Sequence, residues 1–312
     1  SVGLSPSTYR CNITPTNITA GSITDGGLET GELNSFEIEV KTDNVGTSGT
    51  NQFTIPITGT GYNYTIKTSD GQTISGVTGA YTITFPSIGT YTIKIFGVFP
   101  KVYFNNTGDR LKLIAINSAG MGIVSKTTKM YYGCANLLSA NIYNAILLNA
   151  DASYIFHSCT ALTSVPLFNL ARATNAAGMF YLCSSLTTVP LLNLSNVTNT
   201  SSMFFQCSNI TTMPLFDLSK VTNATYMFYQ CSKLTTVPLL NLSSCTNASN
   251  MFLGVTLTTQ SYSDFLINLA TLPLQSGVSF HGGNSKYNPT AAIARAYLIS
   301  NFGWTITDGG AA

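Results

Sequence analysis

Charge is what this chain has least of. Only 8% of its 312 residues are Asp, Glu, Lys or Arg, against roughly 25% in ordinary soluble domains. Its twelve carboxylates are scattered, and all four glutamates fall between positions 29 and 39. No pair of them has the spacing of an acid/base dyad. Histidine is confined to His157 and His281, and there is one tryptophan. The chain has no Gly-x-Ser-x-Gly elbow, phosphate-binding loop or dinucleotide fingerprint. The expectation is therefore no enzyme, no catalytic residue, no cofactor and no metal site. Asp43, Asp70 and Asp109 read as turn and surface residues before calcium ligands. A net charge of +2 gives no electrostatic footprint for nucleic acid. No apolar run reaches the roughly 18–20 residues of a membrane span.

What replaces charge is hydroxyl and amide. Serine and threonine supply 76 residues and asparagine 27, in a chain that is 44% hydrophobic. Such a surface suits an extracellular or assembled state. The chain begins at Ser1 without a signal peptide, as a processed or trimmed product would.

A 24-residue repeat organises the second half. Four copies align without a gap on Ile155-Phe156, Met179-Phe180, Met203-Phe204 and Met227-Phe228. Each pair is followed by a cysteine, at Cys159, Cys183, Cys207 and Cys231. Then come Leu162, Leu186, Ile210 and Leu234, and a proline-leucine step at Pro166, Pro190, Pro214 and Pro238. A Thr-Asn pair closes each copy, ending on Asn175, Asn199, Asn223 and Asn247. A degenerate copy around Cys134 and Leu137 precedes these, and a fading one follows at Met251-Phe252. A fixed period of this length predicts a solenoid whose stacked units share one core. The Thr-Asn step predicts a cap for a short helix or helical turn. The segment before each proline predicts extended chain. One coil should then be a short strand plus a short helix or helical turn, joined by polar corners.

Five of the seven cysteines share one column of the repeat, and Cys245 takes the place of Val197 and Val221. Small, soft side chains that recur in this way read as free, buried thiols. Cys11 stands apart in a polar segment and is the candidate for a disulfide in an oxidising compartment.

Ahead of the repeats, residues 1–34 read as a polar extended arm. From Phe36 the pattern alternates: Phe36-Glu-Ile-Glu-Val40, Phe53-Thr-Ile-Pro-Ile57, Tyr62-Asn-Tyr-Thr-Ile-Lys67, Tyr81-Thr-Ile-Thr-Phe85 and Tyr91-Thr-Ile-Lys-Ile-Phe96. Short alternating strands with regular turns predict an antiparallel sandwich over residues 35–100. Residues 101–258 are assigned to the solenoid, with Val102-Tyr-Phe and Leu111-Lys-Leu-Ile114 as leading strands. Residues 259–312 read as a cap, with helical spacing at 263–270 and 291–299 and a last strand at Trp304-Thr-Ile-Thr. The fold class is thus mainly β with short helices.

Two family resemblances attach to these residues. Tyr64-Thr-Ile-Lys-Thr-Ser-Asp-Gly71 and Gly89-Thr-Tyr-Thr-Ile-Lys94 resemble the PKD-type immunoglobulin-like fold, with Thr68-Ser-Asp70-Gly71 in place of that family's Trp-Gly-Asp-Gly turn. Pro190-Leu-Leu-Asn-Leu-Ser-Asn-Val-Thr-Asn-Thr-Ser-Ser-Met-Phe204, with Cys207-Ser-Asn-Ile-Thr after it, resembles the BspA-like leucine-rich repeats of bacterial surface proteins. That resemblance covers about residues 130–258, and the end of the chain, Phe302-Gly-Trp-Thr-Ile-Thr-Asp-Gly-Gly310, is similar to the end of many such proteins. It implies surface adhesins and other extracellular or phage-associated proteins, and no shared catalytic residues.

The candidate sites are surface features. Asn-x-Ser/Thr sequons permit glycosylation at Asn12, Asn17, Asn63, Asn105, Asn193, Asn196, Asn199, Asn209, Asn223, Asn241 and Asn247. The aromatic column Tyr181, Phe205, Tyr229, with His157 in the same place one copy earlier, is a candidate contact stripe for sugar or protein if exposed and part of the core if buried. Thr187, Thr211 and Thr235, with Thr188, Thr212 and Thr236, form ladders that suit a strand face or an ice- or glycan-binding surface. The string Ile-Thr-Asp-Gly-Gly occurs at residues 23–27 and again at 306–310. An arm carrying it could add a strand to a neighbouring subunit head to tail. The expected function is a non-enzymatic extracellular or cell-surface structural protein, a fibre subunit or an adhesin. The expectation of another class is a receptor- or glycan-binding module such as a phage tail-fibre tip. Its expected partners are copies of itself, surface glycans or a host protein.

Overall fold

In the computed structural model, the described residues are 35–119, 128–142, 150–165, 167 and 170–312. The arm, its copy of the repeated pentapeptide, Cys11, Asn12 and Asn17 all lie outside them. The described chain is mainly β with two helices and no closed barrel.

Alternation builds the first part. In β1 (Phe36–Lys41), Phe36, Ile38 and Val40 are buried while Glu37 and Glu39 are only half-buried. This strand pairs antiparallel with β6 (Thr90–Val98), Ile38 opposite Ile93. It also pairs with β7 (Leu113–Ala119), through two register shifts. With β3 (Asn63–Thr68), β4 (Thr73–Val77) and β8 (Ser139–Ala140), these form one sheet in the order β4-β3-β6-β1-β7-β8. A separate two-stranded ladder joins β2 (Gln52–Thr54) and β5 (Thr82–Thr84), and its Phe53 and Ile83 enter the same core.

Three expectations about strands change. The strand expected over 53–57 ends at Thr54, because Pro56 offers no N–H to continue a ladder. The strand expected at Val102-Tyr-Phe is absent; Val102 and Phe104 are buried, and Phe104 instead starts the ladder of coils by donating to the Met130 carbonyl. The pattern reading passed over β4, whose alternation is broken by Gly76 at φ +70°.

The parallel pair β7–β8 carries the sheet directly into the repeats. A buried pair of charges fixes the turn just before β7. The Asp109 carboxylate accepts from the backbone N–H groups of Thr47, Ser48 and Thr54 and from the Ser48 hydroxyl. Lys112 Nζ donates to the Ser48 hydroxyl and to the carbonyls of Ser48, Gly49 and Gln52. Two ions thus hold loop 46–54 against the start of β7.

The coils stack with their buried rings in a column. Tyr131, Phe156, Phe180, Phe204, Phe228 and Phe252 follow one another at 5.2–5.8 Å between centroids, each pair nearly parallel. The backbone keeps this register. The N–H groups of Ala176, Gly178, Phe180 and Leu182 donate to the carbonyls of Asn199, Ser201, Met203 and Phe205 in the next coil. The residues between them bond locally: Met179, Tyr181 and Cys183 donate to carbonyls three residues back.

Of the short helix or helical turn expected in each coil only turns form, and the extended segment before each proline is no ladder strand among the described residues. The described coils contain no α-helix. Each Met-Phe segment is a pair of turns, and each turn is closed by a residue at positive φ, such as Tyr154 and Ser158, Ser202 and Gln206, or Tyr226 and Gln230. Half the N–H groups are thereby turned toward the next coil, which a helix would forbid. The closing asparagine does cap, but it caps a turn. The Oδ1 atoms of Asn175, Asn199, Asn223 and Asn247 each accept from the N–H two residues on, the local competition with helix that asparagine favours. Asparagine also forms the one regular bridge between coils, Asn175 to Asn199 to Asn223 to Asn247.

The cap matches its expected helices. The first, α1 (Thr259–Leu269), is capped by Thr258, and α2 (Pro289–Phe302) by Asn288, with Pro289 in its first turn and Gly303 left-handed after it. Phe265 and Phe280 meet the last stacked ring, Phe252, edge-on. The ladder ends on β9 (Ser279–His281) and then β10 (Thr305–Thr307), paired parallel. Asp308 locks that end, accepting from Arg295 Nε at 2.8 Å and the Tyr262 hydroxyl at 2.9 Å.

Candidate functional site

The coils carry three columns, two that reach the surface and one that is buried. The first is apolar. After each proline step stands a leucine, and Leu167, Leu191, Leu215 and Leu239 are 48%, 61%, 59% and 53% exposed. The next position turns inward, as Leu192, Phe216 and Leu240 do. Exposed positions elsewhere in the coils drift freely, as in Arg172, Asn196 and Lys220. The exposed leucine does not drift. It is flanked by the exposed threonines Thr187, Thr188, Thr211, Thr212, Thr235 and Thr236. No charged residue occurs in 187–191, 211–215 or 235–239. The proline-leucine step is plain in the sequence, but which of its apolar residues faces outward is not.

The second column is aromatic. His157, Tyr181, Phe205 and Tyr229 are half-buried and stack at 4.4 Å between centroids, and Tyr132 meets His157 at 4.3 Å with its ring tilted by 54°. Tyr154 and Tyr226 lean on this stack from the side. The candidate contact residues Tyr181, Phe205 and Tyr229 are therefore brought together, but their faces cover one another and their edges face outward. His157 belongs to the stack: burial, followed by nearby Lys129, pulls its imidazole down to about 4. It is neutral at physiological pH, as a ring between two tyrosine rings should be.

The third column is the amide and thiol row. Cys159, Cys183, Cys207 and Cys231 are buried and free, and each Sγ donates to a carbonyl of the preceding coil at 3.0–3.2 Å. In the last three, the acceptor is the stacking phenylalanine's own carbonyl. The column thus selects a small residue with a weak donor. Burial pushes these thiols up, Cys231 to about 12, so the reactive thiolate is suppressed. The six described cysteines are expected to stay unmodified by a disulfide reagent at pH 8 and to react fully once guanidinium unfolds the chain. Two or more rapidly reacting thiols in the native protein would contradict this packing.

The sequon amides are mostly engaged. Asn196 donates to the Ala171 carbonyl and accepts from Lys220; Asn209 donates to the Ser184 carbonyl and accepts from Lys233. Asn193 and Asn241 close turns onto Ser195 and Ser243, and Asn199, Asn223 and Asn247 cap as above. Asn63 is exposed on β3, and Asn105 sits at φ +45°. Of the three aspartates weighed for calcium, Asp109 is the buried anchor described above. Asp70 binds Thr68 and Gln72, and Asp43 faces Lys41 at 3.4 Å. Among the described residues no group of three or more His, Cys, Asp or Glu is placed to hold a metal. No described helix is long and apolar enough to cross a membrane.

A family model described as "Mycoplasma protein of unknown function, DUF285" matches residues 104–210 and 150–265. Together the two matches cover just over half of the chain and coincide with the coils. Comparison with curated proteins and with solved structures returns no match.

Proposed function

Because the chain belongs to the DUF285 family, that of the BspA-like surface proteins, we propose that it is a non-enzymatic structural protein of the cell exterior, a filament subunit or adhesin. In this reading β1 to β7 belong to an immunoglobulin-like sandwich, whose sheet runs past the boundary expected at residue 100 because β7 pairs with β1, the coils that follow are a leucine-rich-type solenoid, and 259–312 are its cap. The coils provide surface, and the surface does the work.

The leucine column carries this reading. Four large apolar side chains about half exposed at one-coil spacing are costly to leave in water, at about 25 cal/mol per Å². A monomer gains nothing from repeating them. A second copy docked on the same face would cover them, and with no charge in that face two copies meet without repulsion. The arm over residues 1–34 offers a second, head-to-tail contact through strand addition.

The test is self-association. The double variant Leu191→Asn, Leu215→Asn changes only exposed side chains, so its melting temperature should match the parent. In light scattering across concentration, the parent should form assemblies and the variant should shift toward monomer. A parent that stays monomeric at every concentration would refute the proposal.

A further inference from the structure

We propose that the coils also carry a binding groove for a neutral, linear glycan, beside the aromatic stack and independent of self-association. The groove has a volume of about 460 Å³ and crosses successive coils, a size typical of small-ligand sites. Its lining repeats with the coils: Ser184, Ser208 and Ser232 form one row, and Leu182, Gln206, Gln230 and Gly254 the other.

The second row is conformationally odd. Gln206 and Gln230 stand at φ +56° and +52°, and Leu182 at +60°. This is a region that glycine occupies freely and other side chains enter at a cost. Glycine takes this place in two other coils, in Gly133 and Gly254, both at φ +81°, and serine in one, Ser158, at φ +60°. Glutamine adds nothing to the turn, so its retention in two consecutive coils points to its side chain. That side chain is only half used within the fold. Gln206 Nε2 donates to Gln230 Oε1 at 2.5 Å. Among the described residues, Gln206 Oε1, Gln230 Nε2 and the three serine hydroxyls have no hydrogen-bond partner. The groove therefore presents donors and acceptors that recur once per coil.

Spacing and charge select the ligand. Adjacent coils lie about 4.8 Å apart, the separation of paired strands. An extended peptide laid along the stack advances about 3.3–3.4 Å per residue and falls out of register. A chain of pyranose rings advances by close to one coil per ring and offers hydroxyls at each step. No charged side chain lines the groove, which disfavours nucleic acid and sulfated or uronic polymers. The outward edges of Tyr181, Phe205 and Tyr229, each next in sequence to a groove residue, add an apolar rim.

The experiment titrates the intact chain with cello-, laminari-, manno- and chitohexaose by calorimetry, together with their disaccharides. At least one hexasaccharide should bind, at least tenfold more tightly than its disaccharide, with little change between 50 and 500 mM salt. The double variant Gln206→Gly, Gln230→Gly relieves the backbone and should keep the parent's melting temperature while weakening that binding at least tenfold. The proposal fails if none of the four hexasaccharides binds, or if binding is unchanged in the glycine variant or lost at high salt. Monomeric behaviour in the leucine test would leave this result untouched.

Discussion

Replacing Phe228 by alanine is expected to destabilise the protein by about 3–5 kcal/mol, the usual sum of transfer and cavity terms for a buried phenylalanine. The ring sits between Phe204 at 5.8 Å and Phe252 at 5.2 Å and is fully buried. Its backbone cannot follow it into the hole. The Phe228 N–H is tied to the Met251 carbonyl of the next coil, and its own carbonyl accepts from Cys231. The cavity should therefore stay open, so the cost should fall at the upper part of that range. Guanidinium denaturation of parent and variant measures the difference. An unchanged midpoint would mean that the register of the stack is wrong.

Replacing Lys112 by methionine should cost a similar amount, about 3–5 kcal/mol, by a different route. Methionine fills much the same volume, so the loss is electrostatic. The carbonyls of Ser48, Gly49 and Gln52 lose their shared donor, and the buried Asp109 carboxylate loses its compensating charge. Burial pushes the Asp109 carboxyl up, but hydrogen bonds from Ser48 and Thr54, and then Lys112, more than offset this and hold it below the usual carboxylate range. A depressed carboxylate contributes stability that is complete above its unfolded value near pH 4 and lost as pH falls through the folded one. Acid melts should thus release loop 46–54 from the turn before β7, and Lys112→Met should show a smaller acid-dependent loss. Equal stability of parent and variant at pH 7 would contradict the network.

Much of this was legible in the residues. Period two over Phe36-Glu-Ile-Glu-Val40 gave β1 with its buried face, and period 24 gave the stack and its phenylalanine column. Cysteine in that column read correctly as a small buried group, although its bond to the preceding coil's carbonyl did not. Of the helix or helical turn expected after each Thr-Asn step only turns form, for a local reason. Asparagine caps a turn as well as it caps a helix, and Ser202, Gln206, Tyr226 and Gln230 show no preference for positive φ that sequence alone could reveal. The exposed leucines were visible as a proline-leucine step. Their outward direction is not readable from the step itself, because Leu191 and Leu192 are alike in type and only the second is buried. The Asp109–Lys112 network joins positions about 60 residues apart, and no spacing rule reaches that far.

On the proposed function, the chain assembles and serves through its surfaces. Negative-stain electron microscopy of the intact chain, imaged beside a form lacking residues 1–27, tests it most directly. The expected result is filaments or other regular assemblies from the intact chain and shorter or laterally joined particles from the truncated one. Uniform single particles of the 33.2 kDa chain in both samples, at every concentration tried, would contradict it.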